Sequence, residues 1–398
     1  MYGSDVERLK KVVVAEVDAH REELIELSLR IHSNPELGFE EYKAAGWLAE
    51  SLEKNGYSVE RGFCELPTAF VAGYGRGSPA IAILAEYDAL PKLGHACGHN
   101  IIATSALGAG IASRIAVDEL GGRVMVIGTP GEEIYGGKAI MVGRGGFSDV
   151  DAAMMVHPGV RNTVIAQALA CISLEVEFFG RPAHAASHPY KGVNALEAMI
   201  LSFNGVDALR QHIKDRARIH GIITDGGEAA NIVPAHSAGR FLVRAEDETY
   251  LDELKGRVLN CFMAASMATG ARLEHRWGEV CYAPMLNNLA LAEVFARNME
   301  SLGRKIEPPD PEEGFGSTDM GNVSLVVPGI HPTVAIAGRE VLAHSPEFAA
   351  AAASEAGHHG LIDGAKAMAM SVVDLLGDSE AMVRIKDEFF ARGGNCSG

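Results

Sequence analysis

The feature that most constrains this chain is an apolar run stopping on an acid, then a turn bearing Cys and His, then an alanine-rich helical stretch. The three pieces are IAILAEYDALP (81–91), GHACGHN (94–100) and IIATSALGAGIAS (101–113). A buried strand, a glycine-containing turn and a helix, in that order, are how an open α/β sheet presents chemistry at the carboxyl ends of its strands. The turn sets Cys97 and His99 two residues apart, with His95 on the other side of Cys97 and Asp88 closing the strand. Alone it is ambiguous, because a lone Cys in an apolar setting is ordinarily a small core residue.

Repetition along the chain removes much of that ambiguity. GGRVMVIGTPGEEIYGGKAI (121–140) reads as a second buried strand running into Glu132 and Glu133, and VDAAMMVHPG (150–159) as a third ending on His157. HPTVAIAG (331–338) is a fourth, with His344 in the AHSPEF segment (343–348) after it. In a parallel sheet such ends lie along one edge. Gly73, Gly75 and Gly77 do not make a dinucleotide loop, since that loop must open a helix and here another apolar strand follows. A hairpin turn is expected there instead.

Helices are expected over 5–32, 40–55 and 349–377, the last interrupted by Gly357 and Gly360. From 171 to 282 the texture changes to alternating strands and amphipathic helices. Strand–helix–strand–strand–helix–strand is an independent α+β unit of ferredoxin-like type. The expected organisation is therefore an α/β catalytic domain from 1–170 and 283–398, its mixed sheet flanked by helices, with residues 171–282 inserted. A chain of 398 residues is long for one core, and 47% hydrophobic content supplies enough apolar side chains for two.

Charge and cysteine usage narrow the function classes. A formal charge of −17, from 52 acids against 35 bases, argues against nucleic acid or an anionic membrane as partner. Cys64, Cys97, Cys171, Cys261, Cys281 and Cys396 form no CxxC pair and no regular spacing, so no disulfide framework is expected. The charged N-terminal segment lacks the apolar core of a signal peptide, and no apolar run is expected to reach the length of a membrane span. A soluble, cytoplasmic protein is expected.

Collected, the strand-end residues are Asp88, Cys97, His99, Glu132, Glu133, His157 and His344. That is more than one catalytic zinc needs, since such an ion takes three protein ligands and keeps an open position. Two cations sharing a bridging thiolate or carboxylate fit better, because such a pair holds a hydroxide and polarises a carbonyl. Side chains of adjacent residues diverge, which suits Glu133 as ligand and Glu132 as general base. Asp88 would orient a ligating imidazole.

Over nearly its whole length the sequence resembles metallopeptidase family twenty, the di-metal amidohydrolases that include aminoacylases, carboxypeptidases and carnosinase-like dipeptidases. The resemblance rests on AEYDALPKLGHACGHN (85–100), GTPGEEIYGGK (128–138), DVDAAMMVHPG (149–159), FGRPAHAASHPYKGVNALEA (179–198), ANIVPAHSAGRFLVRA (230–245), GSTDMGNVS (316–324) and AHSPEF (343–348), in that order. Tyr87 and Asn100 make it most similar to the p-aminobenzoyl-glutamate hydrolase subunits and β-alanyl-lysine-type dipeptidases. The resemblance implies a zinc-peptidase-like fold with Cys97, His99, Glu133, His157 and His344 as metal ligands, Cys97 bridging, and Glu132 as base. It also implies that the inserted domain dimerises and acts as a lid, with His184 reaching the other protomer's site to stabilise the oxyanion. Asn231 and Arg244 match positions that hold the substrate's carboxylate or amide carbonyl, a task that suits an Arg fork. Ser317, Thr318 and Asp319 would line the pocket. Gly131 before the paired glutamates and Ile134-Tyr135 after them depart from many relatives, and Tyr135 is expected to shape the acyl side.

The function expected is metal-dependent hydrolysis of an amide bond in an N-acyl amino acid or dipeptide-like small molecule. The cofactor would be two divalent ions, zinc first, with manganese, cobalt or nickel also compatible with this N/O/S set. Three other readings stand beside it: an aminohydrolase releasing ammonia from an aromatic or amidine-like substrate, a non-catalytic regulatory homologue, and a Cys97 nucleophile with His99 as base. The complete donor set weighs against the second. The third leaves Glu133, His157 and His344 without a purpose.

Overall fold

The computed structural model describes residues 2–308 and 316–393. Cys396 lies outside them; the other five cysteines are free thiols. The chain divides into two compact units, one of Ala168–Pro284 with the short stretch ending at Ser317, the other of the remaining chain on either side.

The larger unit opens with α1 (Tyr2–Ala19), α2 (Arg21–His32) and α3 (Tyr42–Lys54). The first two are separate helices broken at His20, not the single one expected. Strands β1 (Ser58–Arg61), β2 (Phe70–Arg76) and β3 (Ala80–Ala85) follow, then α4 (His99–Leu120), β4 (Gly122–Gly128), α5 (Gly137–Gly143), β5 (Ala152–Met154) and β6 (His157–Gly159). His157 therefore opens a new strand beyond β5 instead of ending the third one.

The expected hairpin between β2 and β3 does not form. β4 lies between them, antiparallel to β2 and parallel to β3, and β3 has β5 as its other parallel neighbour. Every residue of β3 is buried, so it takes a central place with a strand on each side. Its side chains alternate accordingly. Ile81 and Ile83 join the cluster formed with α4, while Ala82 and Leu84 face Met141, Met320 and Val323 on the opposite side. Helices thus cover both faces.

Helix α4 is the centre of that core. Contrary to the sequence expectation, it is long and apolar enough to cross a membrane, yet 89% of its most apolar window is buried inside the protein. Its small residues allow close packing: a Cβ on Gly110 would stand 2.4 Å from Val126 Cγ2.

The smaller unit runs β7 (Ala170–Phe179), α6 (Ala195–Arg210), β8 (Arg218–Asp225), β9 (His236–Ala245), α7 (Glu248–Thr269) and β10 (Arg272–Trp277). Its sheet has the order β10-β7-β9-β8, antiparallel throughout, which is the ferredoxin-like arrangement. Leu174, Val176 and Phe178 alternate inward from β7 against Phe241 of β9 and Phe262 of α7. Side chains cap both helices. Asn194 accepts from Glu197 N at 3.1 Å and Asp247 from Tyr250 N at 2.7 Å.

The chain then returns to the larger unit with α8 (Leu289–Ser301), α9 (Met320–Val326), β11 (Gly329–Ile330), β12 (Thr333–Ala335), α10 (Pro346–Ala352), α11 (Glu355–Gly377) and α12 (Ser379–Ala391). β11 completes a six-stranded mixed sheet beside β5, and β12 pairs with β6. Gly357 and Gly360 do not interrupt the final helical stretch. The break falls at Ala353–Ser354, where Ser354 Oγ caps the new helix by accepting from Gly357 N at 3.2 Å. Gly360 lets α11 approach closely, since its Cβ would meet Ile336 Cγ2 at 2.5 Å.

Candidate metal centre

The turn after β3 owes its shape to Gly98, whose left-handed φ of +79° ends the turn and starts α4 at His99. A Cβ there would also lie 2.5 Å from Pro158 Cγ. The tight reversal places Cys97 and His99 toward β6, where Cys97 Sγ stands 3.5 Å from His157 Nε2. His157 Nδ1 donates to its neighbour's carbonyl, Pro158 O, at 2.6 Å, which leaves Nε2 as the lone-pair nitrogen facing the thiol.

His99 is held by Asp88, whose Oδ1 accepts from Nδ1 at 2.8 Å. The other Asp88 oxygen accepts from Glu133 N at 3.0 Å. Glu133 Oε1 lies 3.9 Å from His99 Nε2 and 3.5 Å from His344 Nε2. His344 reaches the site from a loop in a left-handed conformation, φ +62°, tied to the Cys/His turn by its own N–H donating to Ala96 O at 2.9 Å. A non-glycine residue held there costs about 1–3 kcal/mol, which marks a site whose surroundings over-determine it.

Among the groups of donors that emerge are Cys97/His99/His157 and Cys97/Glu133/His344, each with its ligand atoms within 4.8 Å of one another. Cys97 belongs to both. Among the described residues, His99 Nε2 and Glu133 Oε1 are buried and have no hydrogen-bond partner. Such atoms are costly unless a cation or proton meets them. Burial pushes the Cys97 thiol well up, and a cation would supply the positive charge that makes it a thiolate. The donor set thus fits two divalent ions.

Electrostatics separate the two glutamates. Burial, then the charges of Glu86, Asp319 and Glu133, raise Glu132 well above the usual carboxylate range. Burial pushes Glu133 the same way, but His344 and His99 outweigh it and hold its pKa low. Burial alone would depress His99, yet Asp88 and Cys97 raise it. His157 is depressed, first by burial and then by His99.

Sequence reasoning missed a buried network beside these groups. Lys138 Nζ bonds Glu86 Oε1 and also donates to Asp319 Oδ1 at 2.7 Å, while its backbone N–H donates to Asp319 Oδ2 at 2.8 Å. All three side chains are buried. Asp319, expected to line a pocket, is instead part of this network. Glu86 stands two residues before Asp88 on the same strand end, and that period of two is the signal that could have found it. His331 was also missed; its buried ring lies 5.5 Å from that of His157. Thr318 Oγ1 accepts from Met320 N at 3.2 Å at the start of α9. Tyr135 stacks on Phe39 with ring centroids 4.9 Å apart. Asn100 is structural in its contacts, donating to Ser28 Oγ and Ala352 O.

The remaining residues expected at the site belong to the smaller unit. His184 is exposed, and its Nδ1 accepts from Ala186 N and Ser187 N at 3.3 and 3.1 Å. The ring of a neutral His184 therefore carries its proton on Nε2. Asn231 sits on the strand-like pairing of Ile232 with His184, its carbonyl accepting from Ala185 N at 3.0 Å. Arg244 Nη1 donates to Ser317 Oγ at 3.0 Å, and its buried Nε has no hydrogen-bond partner among the described residues.

The sequence features behind this geometry are shared with known proteins. The profile of Peptidase family M20/M25/M40 matches residues 82–358. The chain belongs to this family. It is 36% identical to the Xaa-Arg dipeptidase of Mus musculus over 97% of this chain and 93% of the relative. It is 35% identical to the Xaa-Arg dipeptidase of Homo sapiens, again over 97% of this chain and 93% of the relative. One of the p-aminobenzoyl-glutamate hydrolase subunits of Escherichia coli is 37% identical over 68% of this chain and 61% of that one. A dinuclear metal-binding M20 peptidase of Bacillus subtilis has the same fold, with a TM-score of 0.69 and 21% identity over 90% of this chain and 99% of that structure. This M20 protein is a metal-dependent hydrolase of amide C–N bonds, and the ammonia-releasing alternative is not favoured.

Proposed function

We propose that the protein is a di-metal dipeptidase or N-acyl amino acid hydrolase, splitting one amide bond next to a free carboxylate. The observation that supports this reading is the membership of Cys97 in both donor groups, so that its thiolate would serve both ions. Cys97, His99 and His157 would hold one ion, and Cys97, Glu133 and His344 the other. Zinc suits the set, with manganese, cobalt and nickel as alternatives. The ions would supply a strong nucleophile at neutral pH and a polarised substrate carbonyl.

The chain's own groups do the rest. Glu132, with its raised pKa, takes a proton from the attacking water and returns it to the leaving nitrogen. His184 donates from Nε2 to the developing oxyanion. Arg244, beside Ser317, offers a fork to the substrate carboxylate and Asn231 an amide. The names of the two Xaa-Arg dipeptidases support a dipeptide with a charged C-terminal residue.

A homodimer through the smaller unit belongs to the same proposal, with His184 serving the site of a second copy. Supporting it, β8 is an edge strand carrying Ile222 and Ile223 in exposed positions. A panel of N-acyl amino acids and dipeptides, assayed on apo-protein with single metals added back, tests the whole. An amine and an acid as products support it; ammonia, or turnover without metal, refutes it.

A further inference from the structure

His184 and Asn231 stand on two loops of the smaller unit that share one root. The first, 180–185, leaves the end of β7, and the second, 226–235, joins β8 to β9. Their backbones are laced together. Ala185 N donates to Asn231 O at 3.0 Å, Val233 N to Ala183 O at 2.9 Å and Gly180 N to Ala235 O at 2.7 Å. His236, the first residue of β9, lies at that root, paired in register with Phe179, the last residue of β7.

The two ring nitrogens of His236 meet carboxylates from both neighbouring strands. Nδ1 donates to Oδ2 of Asp225, the last residue of β8, at 2.6 Å, and Nε2 donates to Oε2 of Glu177 on β7 at 2.9 Å. An ionised carboxylate only accepts, so this arrangement needs both nitrogens protonated and the ring is an imidazolium. Asp225 first, and then Glu177, hold its pKa above the ordinary imidazole value against the pull of partial burial. Asp225 Oδ1 also accepts from Gly227 N at 3.0 Å. Gly227 has a φ of +98°, and a Cβ there would stand 2.9 Å from Pro234 Cβ, so the contact passes straight into the loop carrying Asn231. The β8–β9 ladder is irregular between Ile223 and Asp225, where the ion pair stands. The other charges nearby are matched. Arg272 of β10 lies over the Phe179 ring and pairs with Glu274, which stands opposite Glu177, while Arg240 of β9 pairs with Glu175.

We propose that His236 is a positioning residue of the reaction: by bridging Asp225 and Glu177 it holds the root of both loops, and through them the placement of His184 relative to Asn231. The inference rests on the roles given to those two residues. Each ion pair is partly exposed and weak singly, but both act where the two loops begin. The clamp is complete while the ring is charged. It opens as pH rises through the raised pKa, when one nitrogen turns a lone pair toward a carboxylate.

The test compares the full, metal-loaded chain as wild type, His236→Gln and His236→Arg at about pH 6 and about pH 9, either side of the imidazole range. Amide hydrogen exchange of segments 181–185 and 229–233 is measured, with kcat and KM on a dipeptide ending in arginine. In wild type, protection of both segments, corrected for intrinsic exchange, should fall about twofold to fivefold from the lower pH to the higher. His236→Gln should show the high-pH protection at both. His236→Arg, whose fork stays charged, should keep the low-pH protection at both. The kcat should follow the same order, with KM changing less. Protection independent of pH in wild type, or a Gln variant as protected as wild type at the lower pH, overturns the clamp. A kcat unchanged in His236→Gln, or lowered equally at both pH values, overturns the positioning role. No turnover by wild type would count against the hydrolase reading instead, and the exchange data would decide the clamp by themselves.

Discussion

Asp88 and His99 are joined at 2.8 Å through Oδ1 and Nδ1, and the same carboxylate's Oδ2 receives the backbone N–H of Glu133. One acid therefore fixes the ring of one donor and the chain position of another, across two strand ends. Replacing Asp88 with Ala should weaken metal binding about 10–100-fold, the usual effect of losing such a support. Metal content after dialysis, measured by elemental analysis, checks it; a variant that keeps both ions at wild-type affinity contradicts the role.

Glu132→Gln keeps shape but removes the proton-carrying oxygen. Turnover should fall by about 10²–10⁴-fold, the range for a positioned acid–base group, with metal content near that of wild type. Retained turnover would exclude Glu132 as the base.

His184→Ala removes an Nε2–H donor whose tautomer is set by two backbone N–H groups on Nδ1. A loss in kcat of about 10²–10³-fold is expected for an oxyanion donor, with KM changing less. An effect confined to KM would instead place His184 in ground-state binding.

Chelation separates the hydrolase from a Cys97 nucleophile. Activity should vanish on metal removal and return on adding Zn2+ or Mn2+. An enzyme that survives a chelator yet dies on thiol alkylation would reverse the reading.

Glu41 gives the protein a pH-dependent stability without itself being one of the donors. It is buried beneath Thr68 Oγ1 and Gly131 N, from which it accepts at 2.9 and 2.8 Å. Burial first, then the Asp88 charge, raise its pKa to about 7 from 4.5. The folded state therefore binds the proton more tightly than the unfolded one. Its contribution is complete below about pH 4.5 and is lost as pH rises to about 7, a span worth roughly 3 kcal/mol. Denaturant midpoints for wild type minus Glu41→Gln should fall across that interval. A flat difference would contradict the shift.

Much of the architecture could be read from local pattern. Fully apolar runs such as 81–85 announce central strands, and alternation in 171–180 announces a half-covered one. Strand order was less legible. Whether β2 meets β3 or β4 depends on which neighbours satisfy the hydrogen bonds of a strand buried on both faces, and nothing near the Gly75–Gly77 turn encodes that choice. Gly357 and Gly360 misled for different reasons: the first sits in a turn capped by Ser354 three residues before it, and the second lies against Ile336, a contact distant in sequence. At the site, Cys97, His99 and Glu133 follow the apolar strands before them, whereas His157 opens a short strand of its own and His344 lies in the loop beyond another. Lys138 could not be placed that way, because a lysine beside glycines reads as surface until two carboxylates from other segments are seen to enclose it.

The insertion of β7 to β10 between β6 and β11 has a consequence for biosynthesis. While the ribosome is still making the smaller unit, β5 and β6 have no partner on their outer edges, and α4 lacks the α11 surface it packs against. The smaller unit, whose strands and helices are contiguous, has everything needed to fold first. The larger one closes only when its C-terminal third emerges, so a nascent chain arrested before β11 presents bare strand edges to chaperones.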